Sequence, residues 1–143
     1  MKIAIGSDHA ALDLKSTIVE HLKESGIDVT DLGTHTADSC DYPDIAKLVC
    51  EKVAAGEYQY GILVCGTGIG MSIAANKVKG IRAALCHDTF SASMAKQHNN
   101  SNILCMGARV VGSGLALAIV DEWISQEFVG GRHAIRVEKL ENI

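Results

Sequence analysis

Short, wholly apolar runs alternate along the chain with segments whose apolar residues recur every three to four positions. The first pattern predicts buried strands and the second predicts helices with one buried face. Ile3 to Gly6 reads as a strand. Ala10 to Ser25 places Ala11, Leu14, Ile18 and Leu22 on one helical face, with Glu20, Lys23 and Glu24 turned away and Gly26 as the stop. Ile27 to Leu32 gives a second strand. Pro43, the only proline, suits the first turn of a helix, with Ile45, Leu48, Val49 and Val53 as its buried stripe. Gly61 to Val64 is a third strand, followed by a glycine loop and a helix from Met71 to Lys77. Arg82 to Cys86 is a fourth strand, and Asp88 caps a helix running to about His98. Asn99 to Asn102 is a polar break, and Ile103 to Met106 is a fifth strand. Leu115, Ile119 and Trp123 mark a long helix, and Gly130-Gly131 breaks before a final helix near Ala134 to Leu140.

Strands and helices thus alternate five times, with one further helix at the end. The expected fold is a three-layer αβα sandwich around a five-stranded parallel Rossmann-like sheet, with an extra C-terminal helix, in one domain over residues 1–143. In such sheets ligands bind beyond the carboxyl ends of the strands. Three polar segments are expected to meet there: Ser7-Asp8-His9, Cys65 to Gly70, and His87-Asp88.

Composition narrows the function classes. Aromatics are only 4% of the chain, so the interior relies on Ile, Val, Leu and Ala. Thirteen Lys and Arg face seventeen Asp and Glu, a net charge of −4 with no basic run, which argues against nucleic-acid binding. No apolar stretch approaches the ~20 residues that span a bilayer, and the first strand follows Met1-Lys2 at once, so neither a membrane anchor nor a signal peptide is expected. Five cysteines without a CxxC pair argue against a disulfide framework or a zinc site, and for a reducing cytoplasm. Cys50, Cys86 and Cys105 read as small core residues.

The segment Cys65-Gly66-Thr67-Gly68-Ile69-Gly70-Met71-Ser72 carries the strongest chemical signal. Glycine permits a tight turn and leaves N–H groups free to face an anion. Cys65 sits at the lip of that turn, where nearby donors favour a thiolate that acts as nucleophile or base. Met71 stands where a P-loop would need Lys and where a cysteine-phosphatase loop would need Arg; the third glycine is one position early for a dinucleotide fingerprint. Asp8-His9 follows the first strand and by itself reads as a polar turn. His98 ends a helix. Arg132 and Arg136 lie four apart on one helical face, able to fork onto a phosphate or simply to face solvent.

Taken in order, these pieces resemble ribose-5-phosphate isomerase B, in the group that includes the galactose-6-phosphate isomerase subunits. The matching segments are Ile5 to Ala10, Asp41-Tyr42-Pro43, Cys65 to Gly70, Ala74 to Lys77, Gln97-His98-Asn99, Gly107 to Gly112 and Gly130 to His133. The resemblance implies interconversion of ribose 5-phosphate and ribulose 5-phosphate, a step of the non-oxidative pentose phosphate pathway, with neither metal nor cofactor. It implies Cys65 as the base, the Gly66, Thr67, Gly68, Ile69 and Gly70 backbone as the anion hole, and Thr67 with His98 as the residues that open the sugar ring. Asp8 and Asn99 would hold sugar hydroxyls; His9, Arg109, Arg132 and Arg136 would surround the phosphate. It also implies a homodimer, or a dimer of dimers, with residues from neighbouring subunits in one pocket, the His98-Asn99 segment facing the partner's Cys65. In a second subgroup a Glu replaces Cys as base; here Met71 occupies that position. Many members have Gly and an aromatic after Asp-His-Ala, where this chain has Ala11 and Leu12, so an altered packing or rim contact is expected. Two alternatives stand beside this reading. One is an isomerase of a six-carbon sugar phosphate, allose 6-phosphate or galactose 6-phosphate; the other is a non-enzymatic nucleotide-binding module.

Overall fold

A computed structural model describes residues 1–143. The strands are β1 (Lys2–Ser7), β2 (Asp28–Asp31), β3 (Tyr60–Cys65), β4 (Ala83–Leu85) and β5 (Ile103–Gly107). The helices are α1 (Leu12–Glu24), α2 (Tyr42–Ala54), α3 (Ile69–Ala75), α4 (Thr89–Gln97), α5 (Ser113–Ser125) and α6 (Arg132–Glu141). All strand pairs are parallel, in the order β2-β1-β3-β5-β4. The three-layer αβα sandwich is therefore as expected. The exchange of β4 and β5 puts the short β4 at the edge, where few backbone groups need covering.

Side chains alternate across the sheet because the strand period is two. Ile62 and Val64 of β3 join Ile3, Ile5, Leu104 and Met106 in the core under α1, α4 and α5. Leu63 and Cys65 turn to the other face, under α2 and α3, with Ala4, Ile103 and Cys105. The placement of Cys65 thus follows from the parity of an apolar strand. Gly61 lets α2 lie close, since a Cβ there would sit 2.9 Å from Val49.

Two residues of the expected helical stripes face outward instead: Leu48 is 39% exposed and Leu115 is 45% exposed. The sheet-facing positions are Ala46, Val49, Cys50 and Val53 in α2, and Ala116, Ile119, Val120 and Trp123 in α5. Small residues at Ala46 and Ala116 bring each helix down onto the sheet and turn the neighbouring Leu away. The helix after the glycine loop starts at Ile69 and stops at Ala75 rather than running from Met71 to Lys77. Asn76 ends it: its side-chain amide accepts from Ala83 N–H at 2.9 Å and donates to Ala83 C=O at 3.0 Å, completing the open edge of β4. The helix expected from Ala10 begins instead as a 3₁₀ turn over His9–Ala11, capped by Asp8. α6 is the most peripheral element, with Val137 its only buried residue. Ala134 and Leu140 of its apolar stripe are exposed.

Candidate active site

Cys65 is the last residue of β3 and is 5% exposed. The loop that follows is folded back onto the end of β5. Ala108 N–H donates to Cys65 C=O at 2.8 Å and Arg109 N–H to Gly66 C=O at 3.0 Å. Two glycines permit this approach. Gly68 has φ +76°, and a Cβ on it would lie 2.7 Å from the Met106 carbonyl carbon. A Cβ on Gly107 would lie 2.6 Å from the Thr67 backbone. As a result Gly68 N–H points at Cys65 Sγ, 3.1 Å away. Ile69 N–H is used within the loop, donating to Thr67 Oγ1 at 3.3 Å. The N–H groups of Gly66, Thr67 and Gly70 find no acceptor in the chain. A thiolate beside unpaired backbone donors can remove a proton and stabilise the oxyanion that this creates.

The other core thiols are unsuited to such work. Burial pushes Cys50 up to about 12 and Cys86 up to about 11, and it raises Cys105 as well. They are packing residues, as expected.

Asp8 and His9 lie at the same end of the sheet. Asp8 N–H donates to Val64 C=O at 3.2 Å, and Asp8 Oδ1 accepts from Ala10 N–H at 3.0 Å. His9 Nδ1 accepts from Cys40 N–H at 3.3 Å, which assigns the proton to Nε2 and leaves it free to donate. The Arg109 side chain lies over Gly66, its Nη1 3.3 Å from where a Cβ would stand. The expected meeting with His87 is also present: Gly107 N–H donates to its Nε2 at 3.1 Å. Asp88 instead caps α4, accepting from Ser91 N–H and Oγ, and these bonds hold its carboxyl below the ordinary range. A cavity of about 510 Å³ opens beside His9, with Leu12, Ala108 and Ser113 on its wall. Leu12 is therefore a rim residue.

Sequence reasoning gave no role to Cys40, whose backbone orients His9, or to Tyr42, whose ring lies against Gly70 at 2.5 Å from a notional Cβ. Asp41-Tyr42-Pro43 was a matching segment, so the signal for Tyr42 was present without a role attached.

The remaining candidates lie elsewhere. α4 runs antiparallel to the strands, so His98, at its C-cap, is carried roughly 13 Å back along the sheet. The break after it sits at the amino ends of the strands: Gly61 N–H donates to Asn102 C=O at 2.9 Å, and Arg82 Nε donates to Asn100 C=O at 2.7 Å. The His98 ring stacks on His133 of α6, with centroids 4.1 Å apart and planes 5° from parallel. Desolvation, followed by His98, Arg132 and Arg136, lowers the pKa of His133. Arg132 and Arg136 are exposed on the same helix. Asn99 borders a second cavity, of about 890 Å³, with Arg82, Lys77 and the C-terminal residues.

The structure thus gathers Asp8, His9, Cys65, Thr67 and Arg109 at one end of the sheet. It gathers His98, Asn99, Arg132 and Arg136 at the other. Within one chain the two sets do not meet. No group of three or more His, Cys, Asp or Glu is arranged to hold a metal ion, and no helix is long and apolar enough to cross a membrane.

Known proteins share this sequence and fold. Ribose-5-phosphate isomerase B of Escherichia coli is 51% identical over 139 residues, covering 97% of this chain and 93% of its own. D-erythrulose-4-phosphate isomerase of Pectobacterium atrosepticum is 50% identical over 141 residues, covering 98% and 93%. The solved structure of ribose-5-phosphate isomerase B from Mycoplasma genitalium with bound ribulose-5-phosphate superposes with a TM-score of 0.96 at 45% identity, covering 99% of this chain and 94% of that one. The family model described as Ribose/Galactose Isomerase matches residues 3–140, all but the first two and last three positions, and this chain belongs to that family.

Proposed function

We propose that this chain interconverts ribose 5-phosphate and ribulose 5-phosphate through an enediolate, in a site completed by a second copy of itself. The observation that carries the reading is the Cys65 thiol at the lip of a loop in which the Gly66, Thr67 and Gly70 N–H groups are unpaired. His98 of the other copy gives a proton to the ring oxygen as its bond to C1 breaks, and the C1 hydroxyl gives up its proton past the Thr67 hydroxyl to water, so that the C1 carbonyl forms. The Cys65 thiolate then takes the proton from C2. The electron pair forms the C1–C2 double bond and the negative charge moves onto O1, where the loop donors receive it. The hydroxyl proton of C2 passes to O1, the thiol returns its proton to C1, and a carbonyl remains at C2. Asp8 and Asn99 hold hydroxyls. His9 and Arg109 from one chain, with Arg132 and Arg136 from the other, hold the phosphate, so that its binding energy positions the reacting carbons.

Two features support the shared site. The candidate residues fall into two sets at opposite ends of the sheet, each lacking what the other supplies. Apolar side chains also stand exposed beside both sets, including Ile69 and Ile73 of α3 and Ile135 and Leu140 of α6. A homodimer covers them; a dimer of dimers is compatible with the same contact. Five unpaired thiols suit a reducing cytoplasm, and the reaction belongs with the non-oxidative interconversions of pentose phosphates.

A second reading concerns sugar length. A relative at 50% identity is named for a four-carbon substrate, and the family description includes galactose. Purified protein is therefore assayed with four-, five- and six-carbon sugar phosphates, with and without EDTA. The proposal expects the highest kcat/KM on ribose 5-phosphate and no effect of the chelator. A higher kcat/KM on either of the others replaces the substrate but keeps the chemistry; no isomerisation at all overturns both.

A further inference from the structure

The mechanism leaves one buried cation unused. Lys96 lies in the last turn of α4, two residues before His98, and is 2% exposed. Its Nζ is 3.0 Å from the centroid of the Tyr60 ring and 4.4 Å from that of Trp123. No hydrogen-bond acceptor reaches it. The two rings meet edge to face at 5.3 Å, and Trp123 Nε1 donates to Ser101 Oγ at 2.8 Å. The slot therefore joins the end of α4 to the start of β3 and to α5.

A buried ammonium without an acceptor is a costly way to fill a core, because it loses its hydration and gains no hydrogen bond. Burial, with Arg82 nearby, pushes the amine down to about 7. The aromatic faces act in the opposite sense and attract the charged form. A Met side chain would fill the same space without the desolvation cost. Stability alone therefore does not account for Lys96, and its location points to another role.

The same turn carries the ties that place His98. Asn100 N–H donates to Lys96 C=O at 3.2 Å and Ser101 N–H to Ala95 C=O at 3.0 Å. Gln97 Nε2 donates to Gln126 Oε1 at 2.7 Å, and Val129 N–H donates to Gln97 C=O at 3.1 Å. Val129 leads through Gly130-Gly131 into α6, whose His133 stacks on His98. The seat of Lys96 thus sets the height and rotation of the segment that bears His98 and Asn99.

We infer that Lys96 is a positioning residue for the isomerisation, its amine seated between Tyr60 and Trp123 so that His98 is presented at the correct place. The inference rests on the role proposed above for His98.

The test compares full-length enzyme carrying Lys96→Met, His98→Ala or both, by thermal melting and by kinetics on ribose 5-phosphate. Lys96→Met is expected to melt at or above the wild-type temperature while kcat/KM falls about tenfold to a hundredfold, the loss that a small misplacement causes. In the His98→Ala background the same change is expected to cost little more, because the group it positions is gone. Tyr60→Phe keeps a ring face and is expected to retain wild-type kinetics. Tyr60→Leu removes one wall and carries the same kinetic expectation as Lys96→Met should that variant fail to fold. Wild-type kcat/KM in both Lys96→Met and Tyr60→Leu overturns the inference, as do losses that multiply with that of His98→Ala. Wild-type turnover in His98→Ala alone overturns the assignment of His98 itself, and the positioning role with it.

Discussion

At the carboxyl end of the sheet, Cys65 is held by the backbone: it ends a fully buried strand, and a loop tied to β5 points an N–H at its sulfur. At the amino end, His98 hangs from the terminus of a nine-residue helix and leans on α6, which buries one residue. The first region leaves almost no freedom, since Gly68 and Gly107 each sit where a single methyl group would collide with backbone. The second is held by side chains, among them the Lys96 slot and the His98–His133 stack. The difference teaches how the labour divides. Proton abstraction from carbon and oxyanion stabilisation demand fixed geometry, which a strand end supplies. On the proposed mechanism, proton donation to a ring oxygen and capture of a phosphate are the tasks left to the less constrained end.

The largest expected effect lies in the rigid region. Cys65→Ala should lower kcat about 10²–10⁴-fold, the contribution of a positioned base, while sugar-phosphate binding measured by calorimetry changes little. Near wild-type turnover in that variant would remove Cys65 from the mechanism. Next comes Gly68→Ala, which forces φ +76° on a residue with a Cβ and drives that Cβ against Met106. Its expected cost in chemical denaturation is about 2–5 kcal/mol.

Arg132→Ala and Arg136→Ala probe the softer end. Each should lower kcat/KM about ten- to a hundredfold, mostly through KM, as loss of a charge-assisted contact to phosphate does. Unchanged kinetics in both would return them to a solvated face. Gly130→Ala sharpens the contrast with Gly68: it shares a positive φ, +67°, but a Cβ there meets nothing within 4 Å. Only the backbone term of about 1–2 kcal/mol remains. Equal costs at the two glycines would contradict the division into a tight and a loose region.

The smallest effect concerns pH. Lys96 is lowered to about 7 in the folded chain from its ordinary 10.5, so between those values the unfolded chain binds more protons. The Lys96 contribution to wild-type stability should therefore rise with pH across that window, opposed above about 9 by the buried thiols, whose raised pKa values act in the other sense. Any advantage of Lys96→Met, which leaves the thiols unchanged, should shrink as pH is raised from about 7 toward 10. A difference in melting temperature that stays constant across the window would show that Lys96 keeps its ordinary pKa in the folded chain.

Much of this was legible in the residues. The run Gly61 to Val64 marked a buried strand, and Cys65 read as the lip of the turn that follows it. Gly68 and Gly70 marked the loop. Periodicity misassigned Leu48 and Leu115 because each has an apolar or small neighbour one position on, Val49 and Ala116, and spacing does not say which of the two faces the sheet. The exchange of β4 and β5 was not legible, because chain order does not encode strand order. Nor did Lys96 stand out, since an isolated lysine on a helix reads as solvated until the two rings around it are seen. The separation of His98 from Cys65 follows from chain direction, since a crossover helix returns its C-terminus to the amino ends of the strands; from the residues alone His98 read as an exposed helix end.

That separation is the centre of the account, and subunit mixing tests it most directly. Separately purified Cys65→Ala and His98→Ala proteins, each expected to be nearly inactive, are mixed, and subunit exchange is followed by mass spectrometry. If Cys65 of one chain works with His98 of the other, each hybrid dimer contains one intact site and regains about half of the wild-type activity, as the two-fold symmetry of the interface requires. Exchange that goes to completion with activity no higher than that of the parents would contradict the account.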